Sequence, residues 1–207
     1  MGIVGTARVR CTECGIEHDC ELIQSINTRT DPAAKVQLLR GELNVLDCEC
    51  GKRTQLAANV LFHDPDADYL CQVCPGGELA MEKAAAAFRV SGASGTQRLV
   101  PSLNALIEKV KLLEAGLEDW AIEMTKILLL ASIGTSDVDR VLLFQSIDRD
   151  ERVIRWVLFD EHGEHPELVA SPLAAYDKLA VRTNAKPRTA LHVDRTWAVR
   201  SMITNSN

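Results

Sequence analysis

Seven cysteines constrain this 207-residue chain more than any other feature. They stand as Cys11-x-x-Cys14, Cys20, Cys48-x-Cys50 and Cys71-x-x-Cys74. An odd count gathered into three tight pairs suits reduced thiols in a cytosol better than a disulfide framework. Two sulfurs on one short turn and two on another are what a tetrahedral zinc ion needs, each about 2.3 Å from the metal. Cys14-Gly15 and Cys50-Gly51 repeat the same local logic, because glycine accepts the backbone geometry that turns amides toward a thiolate. Cys11 and Cys14 form one half of the expected site. Cys48 and Cys50, or else Cys71 and Cys74, form the other, and spacing alone leaves both open. Four protein sulfurs fill a tetrahedron, so the expected ion is structural. Cys20 reads as a core residue.

The remaining composition excludes more than it assigns. With 23 Lys+Arg against 29 Asp+Glu the formal charge is −6, and no basic run exceeds two residues. Such a chain is a poor partner for phosphate backbones, so general nucleic-acid binding is not expected. The longest apolar run, Ile127–Ala131, falls far short of the roughly 20 residues a membrane span requires. No leader pattern is visible, and the expected compartment is the cytoplasm. Few residues are aromatic, so the core must be built mainly from Leu, Ile, Val and Ala.

Hydrophobic periodicity and turn chemistry predict an α+β protein. Residues 1–77 read as a zinc-stapled, β-rich module, with strands over Val4–Arg10 and Cys20–Ile26 flanking the first Cys turn. Asp31-Pro32 opens a helix that Gly41 ends, its buried side carrying Val36, Leu38 and Leu39. Asn44–Leu46 and Thr54–Ala58 flank the second Cys turn, and Val60–Phe62 and Tyr69–Val73 complete a small antiparallel sheet. Residues 78–101 form a helix and a flexible connector at Ser91–Gly95. In residues 102–207, a helical hairpin runs from Ser102 to Ile133 with a break at Gly116. A β-hairpin follows over Val141–Ile147 and Val153–Phe159, then a helix over Pro172–Arg182 and a strand over Trp197–Ile203.

Other residues that invite chemistry have ordinary readings. His162-Gly-Glu-His165 lacks the i, i+4 spacing of a zinc protease helix and reads as a solvated loop. Asp64, Asp66 and Asp68 begin like a calcium loop, but Tyr69 and Pro75 stand where glycine and glutamate are required. They read as an acidic turn. No phosphate-binding glycine loop and no Gly-x-Ser-x-Gly elbow occurs.

Cys11-x-x-Cys14-Gly15, Ser25-Ile-Asn27, Asp31-Pro32, Gly41-Glu-Leu-Asn44, Cys48-x-Cys50-Gly51 and Leu61-Phe-His-Asp64 follow one another in order. This succession resembles the bacterial CpXC family. Arg98-Leu-Val100, Glu108-Lys109, Gly116–Asp119 and Ile122-Glu123 through Lys126 resemble the segment that follows in longer members. The family's proline after the first cysteine is Thr12 here; proline there stiffens the turn but supplies no ligand. The resemblance implies a metal-binding module and favours Cys48 and Cys50 over Cys71 and Cys74 as the second ligand pair.

With a closed metal site and no nucleophile beside a base, the expected role is a non-enzymatic regulator or adaptor that contacts another protein. A zinc-ribbon factor associated with nucleic acid is the second reading, and a thiol–disulfide oxidoreductase using Cys71 and Cys74 the third. The expected partner surface is the apolar stripe Leu113, Leu117, Trp120, Met124 and Leu128, which would serve a protein partner or a second copy of the chain.

Overall fold

The computed structural model describes residues 2–134, 140–160, 166–182, 187 and 189–204. His162 and His165 lie outside the described residues. The chain is α+β and divides into two units, Met1–Ile107 with Arg188–Leu191, and Glu108–Pro187 with His192–Asn207.

In the first unit, β1 (Val4–Arg10) and β2 (Glu17–Ile23) pair as an antiparallel ribbon. One face is an exposed ladder in which Arg8 meets Asp19 at 3.1 Å and Arg10 meets Glu17 at 2.9 Å. Such exposed pairs set register and contribute little stability. The chain then enters β3 (Ser25–Asn27) and α1 (Pro32–Leu39). The Asp31 carboxylate accepts from the Ala34 N–H, and Pro32 occupies a position whose own N–H would have no helical acceptor. Ala34 and Leu38 form the buried side of α1; of the expected inward residues Leu38 is buried, Leu39 half-buried and Val36 exposed.

A second antiparallel ribbon, β4 (Val45–Asp47) with β5 (Arg53–Gln55), precedes β6 (Val60–Asp64), β7 (Tyr69–Val73), α2 (Gly77–Ser91) and β8 (Thr96–Val100). Strands β3, β6, β7 and β8 form one sheet in that order. The sheet is mixed rather than antiparallel: β3 runs parallel to β6 and β7 parallel to β8, while β6 and β7 form a hairpin. Parallel neighbours need a crossover. Helix α1 with the second ribbon supplies one, and α2 supplies the other. The module therefore does not close at residue 77, because β8, expected within a connector, completes the sheet.

Ile26, Leu38, Val60, Phe62, Cys71 and Val73 build the centre of this unit, with Phe62 and Tyr69 edge to face at 6.5 Å. A second cluster joins Cys74, Ala84, Ala85 and Leu99, with Leu191 packed on it. Leu191 reaches that position because its carbonyl accepts from the Leu99 N–H at 2.8 Å. At the β6–β7 turn, Asp64 accepts from the N–H groups of Asp66 and Ala67, and Asp66 pairs with Arg29. The acidic residues there shape a turn.

Helix α3 (Leu103–Glu114) begins at Ser102, whose hydroxyl accepts from the Ala105 N–H, and the boundary between the units falls within its residues. In the second unit follow α4 (Asp119–Ser132), β9 (Val141–Asp148), β10 (Val153–Phe159), β11 (Glu167–Pro172), α5 (Leu173–Arg182) and α6 (Arg195–Thr204). Strands β9, β10 and β11 form an antiparallel meander. The expected terminal strand at Trp197–Ile203 is instead α6, capped by Asp194, which accepts from the Trp197 N–H at 2.8 Å.

The apolar centre of this unit holds Trp120, Ile122, Ile154, Trp156 and Leu158, with Trp156 edge to face on Phe144. Beside it, five buried charged residues pair with one another. Lys126 lies 2.8 Å from Glu108 and 3.0 Å from Glu123, and Lys109 lies 2.9 Å from Asp119. Glu108 also accepts from the Phe144 N–H, and Lys109 donates to the Val193 carbonyl. Burial draws the Lys126 ammonium down, but Glu108 and Glu123 outweigh it and hold the group above its ordinary value.

The expected partner stripe is mostly core. Leu117, Trp120 and Met124 are buried at 8%, 1% and 4% exposure, and Leu113 is half-buried. Of the five, only Leu128 is exposed, at 42%. Positions 120 and 124 share the inward side of α4 by their i, i+4 spacing, which is the same spacing that suggested a stripe.

Candidate metal centre

Each ribbon of the first unit carries one cysteine pair at its turn. In the first, the Cys11 N–H donates to the Ile16 carbonyl at 2.8 Å and the Gly15 N–H to the Cys11 carbonyl at 3.0 Å. In the second, the Cys48 N–H donates to Lys52 at 2.9 Å and the Gly51 N–H to Cys48 at 2.8 Å. Gly15 and Gly51 adopt φ of 76° and 87°, the left-handed region that lets each turn fold back under its sulfurs.

Asn44 sets the two ribbons side by side. Its side-chain oxygen accepts from the Ile23 N–H at 2.7 Å and its amide donates to the Ile23 carbonyl at 3.0 Å. It thereby behaves as a short extra strand at the end of β2, one residue before β4 begins. Gln55 secures the same corner from β5 by donating to the carbonyls of Leu43 and Asn44.

The result is a cluster in which the sulfurs of Cys11, Cys14, Cys48 and Cys50 all lie within 4.8 Å of one another. Cys11 and Cys50 approach to 3.7 Å, and Cys14 and Cys48 to 3.5 Å. Disulfide sulfurs would lie about 2.05 Å apart. Sulfurs at the corners of a tetrahedron around one zinc-sized ion would lie about 3.8 Å apart, given metal–sulfur bonds of about 2.3 Å. The observed spacing fits the second arrangement. Cys11 and Cys48 are buried beneath the turns, while Cys14 and Cys50 are exposed.

The electrostatics also call for a cation. The backbone N–H groups of Cys14 and Glu13 favour the Cys11 thiolate and lower its pKa to about 6. At Cys48 the Cys50 N–H works in the same direction, but burial and the neighbouring thiols outweigh it and push the group to about 12. At Cys50 the Lys52 N–H and Cys48 work downward, but burial and the thiols of Cys11 and Cys14 outweigh them and raise the group. Four thiols at this spacing ionise together only around a positive charge.

Cys71 and Cys74 are not brought to this cluster. Both are buried, at 0% and 1% exposure, on β7 and just beyond it. Burial pushes the Cys74 thiol up, the reverse of what an exchanging dithiol needs. Cys20 is half-buried on β2. Sequence reasoning missed His18, whose Nε2 lies 3.3 Å from the Cys48 sulfur. Only the pairing of β2 with β1, opposite Val9, brings it there.

The family model described as CpXC protein matches residues 9–126, a span that takes in all four cysteines and the buried ion pairs of α3 and α4. The chain belongs to the CpXC family. No curated protein and no solved structure matches it. The four-cysteine cluster of this CpXC protein could hold one metal ion, and among the described residues no other group of His, Cys, Asp or Glu gathers its ligand atoms as closely. Among the described residues, no helix is long and apolar enough to cross a membrane.

Proposed function

We propose that the CpXC module holds one zinc ion as a structural staple, and that the chain is a non-enzymatic cytoplasmic regulator or adaptor acting through protein contacts. The observation that carries the first half is the sulfur cluster itself. Four thiolates on two glycine-backed turns are a donor set that zinc favours, and they occupy every position of its tetrahedron. A centre filled in this way has no place for a water or substrate, which supports a supporting rather than hydrolytic role.

The second half rests on charge and on what α4 leaves uncovered. The acidic balance disfavours phosphate backbones, whereas Leu128 and Ile133 near the end of α4 are 42% and 40% exposed. Metal analysis of the purified chain tests the zinc reading, with one zinc per chain expected and a metal-free protein overturning it. Cross-linking in cells followed by mass spectrometry tests the adaptor reading. A protein partner lost on Leu128→Glu supports it, while salt-sensitive binding of DNA or RNA near micromolar would favour a nucleic-acid factor instead.

A further inference from the structure

The two cysteine turns differ by one residue, and that difference leaves their buried sulfurs unequally supported. In Cys11-x-x-Cys14 the Cys11 sulfur receives the backbone N–H groups of both Glu13 and Cys14. The shorter Cys48-x-Cys50 turn offers the Cys48 sulfur the N–H of Cys50. The N–H of Cys48 itself is already committed to the Lys52 carbonyl. Cys48 is as deeply placed as Cys11, at 6% against 3% exposure, so water has no better access to it.

His18 stands where the second donor is lacking, with Nε2 at 3.3 Å from the Cys48 sulfur. That is hydrogen-bonding distance to sulfur. The close-set group of ligand atoms contains the four cysteines and not His18, so the imidazole lies outside the tetrahedron. We propose that His18 is a positioning residue for the metal centre, donating its Nε2–H to the Cys48 thiolate in place of the backbone amide that the shorter turn lacks. This rests on the zinc reading above.

The chemistry fixes the direction of the bond. A cysteine bound to a metal is a thiolate and accepts only, so Nε2 must carry the hydrogen. Four thiolates around a divalent ion leave a net charge of −2, and each N–H directed at a sulfur offsets part of it. Because β2 belongs to the first ribbon and Cys48 to the second, the same bond ties the two turns together across the ion.

The test compares the zinc-loaded wild type with His18→Leu and His18→Gln. Competition against a chromophoric chelator should show His18→Leu losing zinc 10- to 100-fold more readily, roughly the effect of removing an outer-shell partner. His18→Gln, which keeps an N–H donor, should recover most of the loss. In cobalt-substituted protein the sulfur-to-metal charge-transfer band should move to lower energy in His18→Leu. Long-range proton–nitrogen NMR of the zinc-loaded wild type should find the hydrogen on Nε2, a measurement that needs no variant to fold. A hydrogen only on Nδ1, a His18→Leu protein that holds zinc as tightly as wild type, or a His18→Gln protein as weak as His18→Leu, overturns this role alone. A wild-type chain that retains no metal overturns the zinc reading and this inference with it.

Discussion

The paired ribbons of the first unit and the α3–α4 region of the second hold polar groups together by opposite means. In the first ribbon the strands alternate between exposed and half-buried residues, with no buried side chain along β1 or β2, and in the second Leu46 is the buried residue of β4. A two-stranded ribbon of this kind is marginal on its own in water. The sulfur cluster and Asn44 tie the first ribbon to the second. Around α4, Trp120 and Ile122 are fully buried, and Lys126, Glu108, Glu123, Lys109 and Asp119 pair with one another inside the protein. There an apolar core packs beside charges that are buried yet paired, so that none is left without a counter-ion. One region gathers four thiols that could hold an added ion; the other carries its counter-ions in its own sequence.

The sharpest way to break this contrast is to remove one sulfur. Cys48→Ser should abolish metal retention, removing a binding free energy on the order of 10 kcal/mol that the ribbons draw on for folding. All three tryptophans, Trp120, Trp156 and Trp197, belong to the second unit. Tryptophan fluorescence should therefore stay native while the amide resonances of residues 4–23 and 45–55 collapse toward random-coil positions. A joint loss of both signals would contradict the independence of the two mechanisms.

The converse experiment attacks the ion pairs. Lys126→Met leaves Glu108 and Glu123 buried without their shared cation and should cost about 3–5 kcal/mol, read as a lower urea midpoint of tryptophan fluorescence. Zinc content should not change. Asn44→Ala should have a smaller effect, about 2 kcal/mol, because it strands the Ile23 N–H and carbonyl in a half-buried corner. Faster hydrogen exchange confined to the ribbons, with weaker zinc retention, is the expected signature. The smallest effect is at Asp148, whose carboxyl is held below its usual range first by the Glu151 N–H and then by Arg155. A depressed carboxylate stabilises the fold above its unfolded value and loses that contribution as pH falls through the folded one. Asp148→Asn should thus weaken the β9–β10 turn slightly at neutral pH and flatten its dependence on acid, as followed by amide exchange at residues 149–153.

The parts of this protein that could be read from sequence are those whose geometry is local. A cysteine, its glycine and the turn between them are determined within four residues, which makes each turn legible by itself; that Cys48 and Cys50 rather than Cys71 and Cys74 join Cys11 and Cys14 follows only from the resemblance, since spacing leaves both pairs open. The caps of α1 and α3 are legible for the same reason, since Asp31 and Ser102 act on amides three residues away. What depends on register or crossover was not. His18 has no motif of its own and becomes relevant through its alignment with Val9. Strand β8 follows a run of small residues and buries Arg98, so its pattern does not alternate as an edge strand should. At Trp197 the apolar alternation suggested a strand, although Asp194 three residues earlier carried the signal of a helix start. Within α4 the spacing of large apolar residues reads equally as a surface stripe or as core, and burial on nearly every side from Asp119 to Lys126 makes it core.

The return of Ala190 and Leu191 to the edge of β8 has a consequence for the order of synthesis. Arg98 donates to the Ala190 carbonyl at 2.9 Å, and Leu99 to that of Leu191. Ala190 and Leu191 lie 83 and 84 positions after Ile107 and are synthesised roughly 4–17 s later at elongation rates of about 5–20 residues per second. Throughout that interval all four cysteines are already present while Leu99 still lacks the neighbour that packs on it. A fragment cut at the end of the family-matched segment, residue 126, would remain permanently in this incomplete state. On the zinc reading, the four cysteines are complete on the growing chain before the residues that close the module, by the time needed to synthesise much of the other unit.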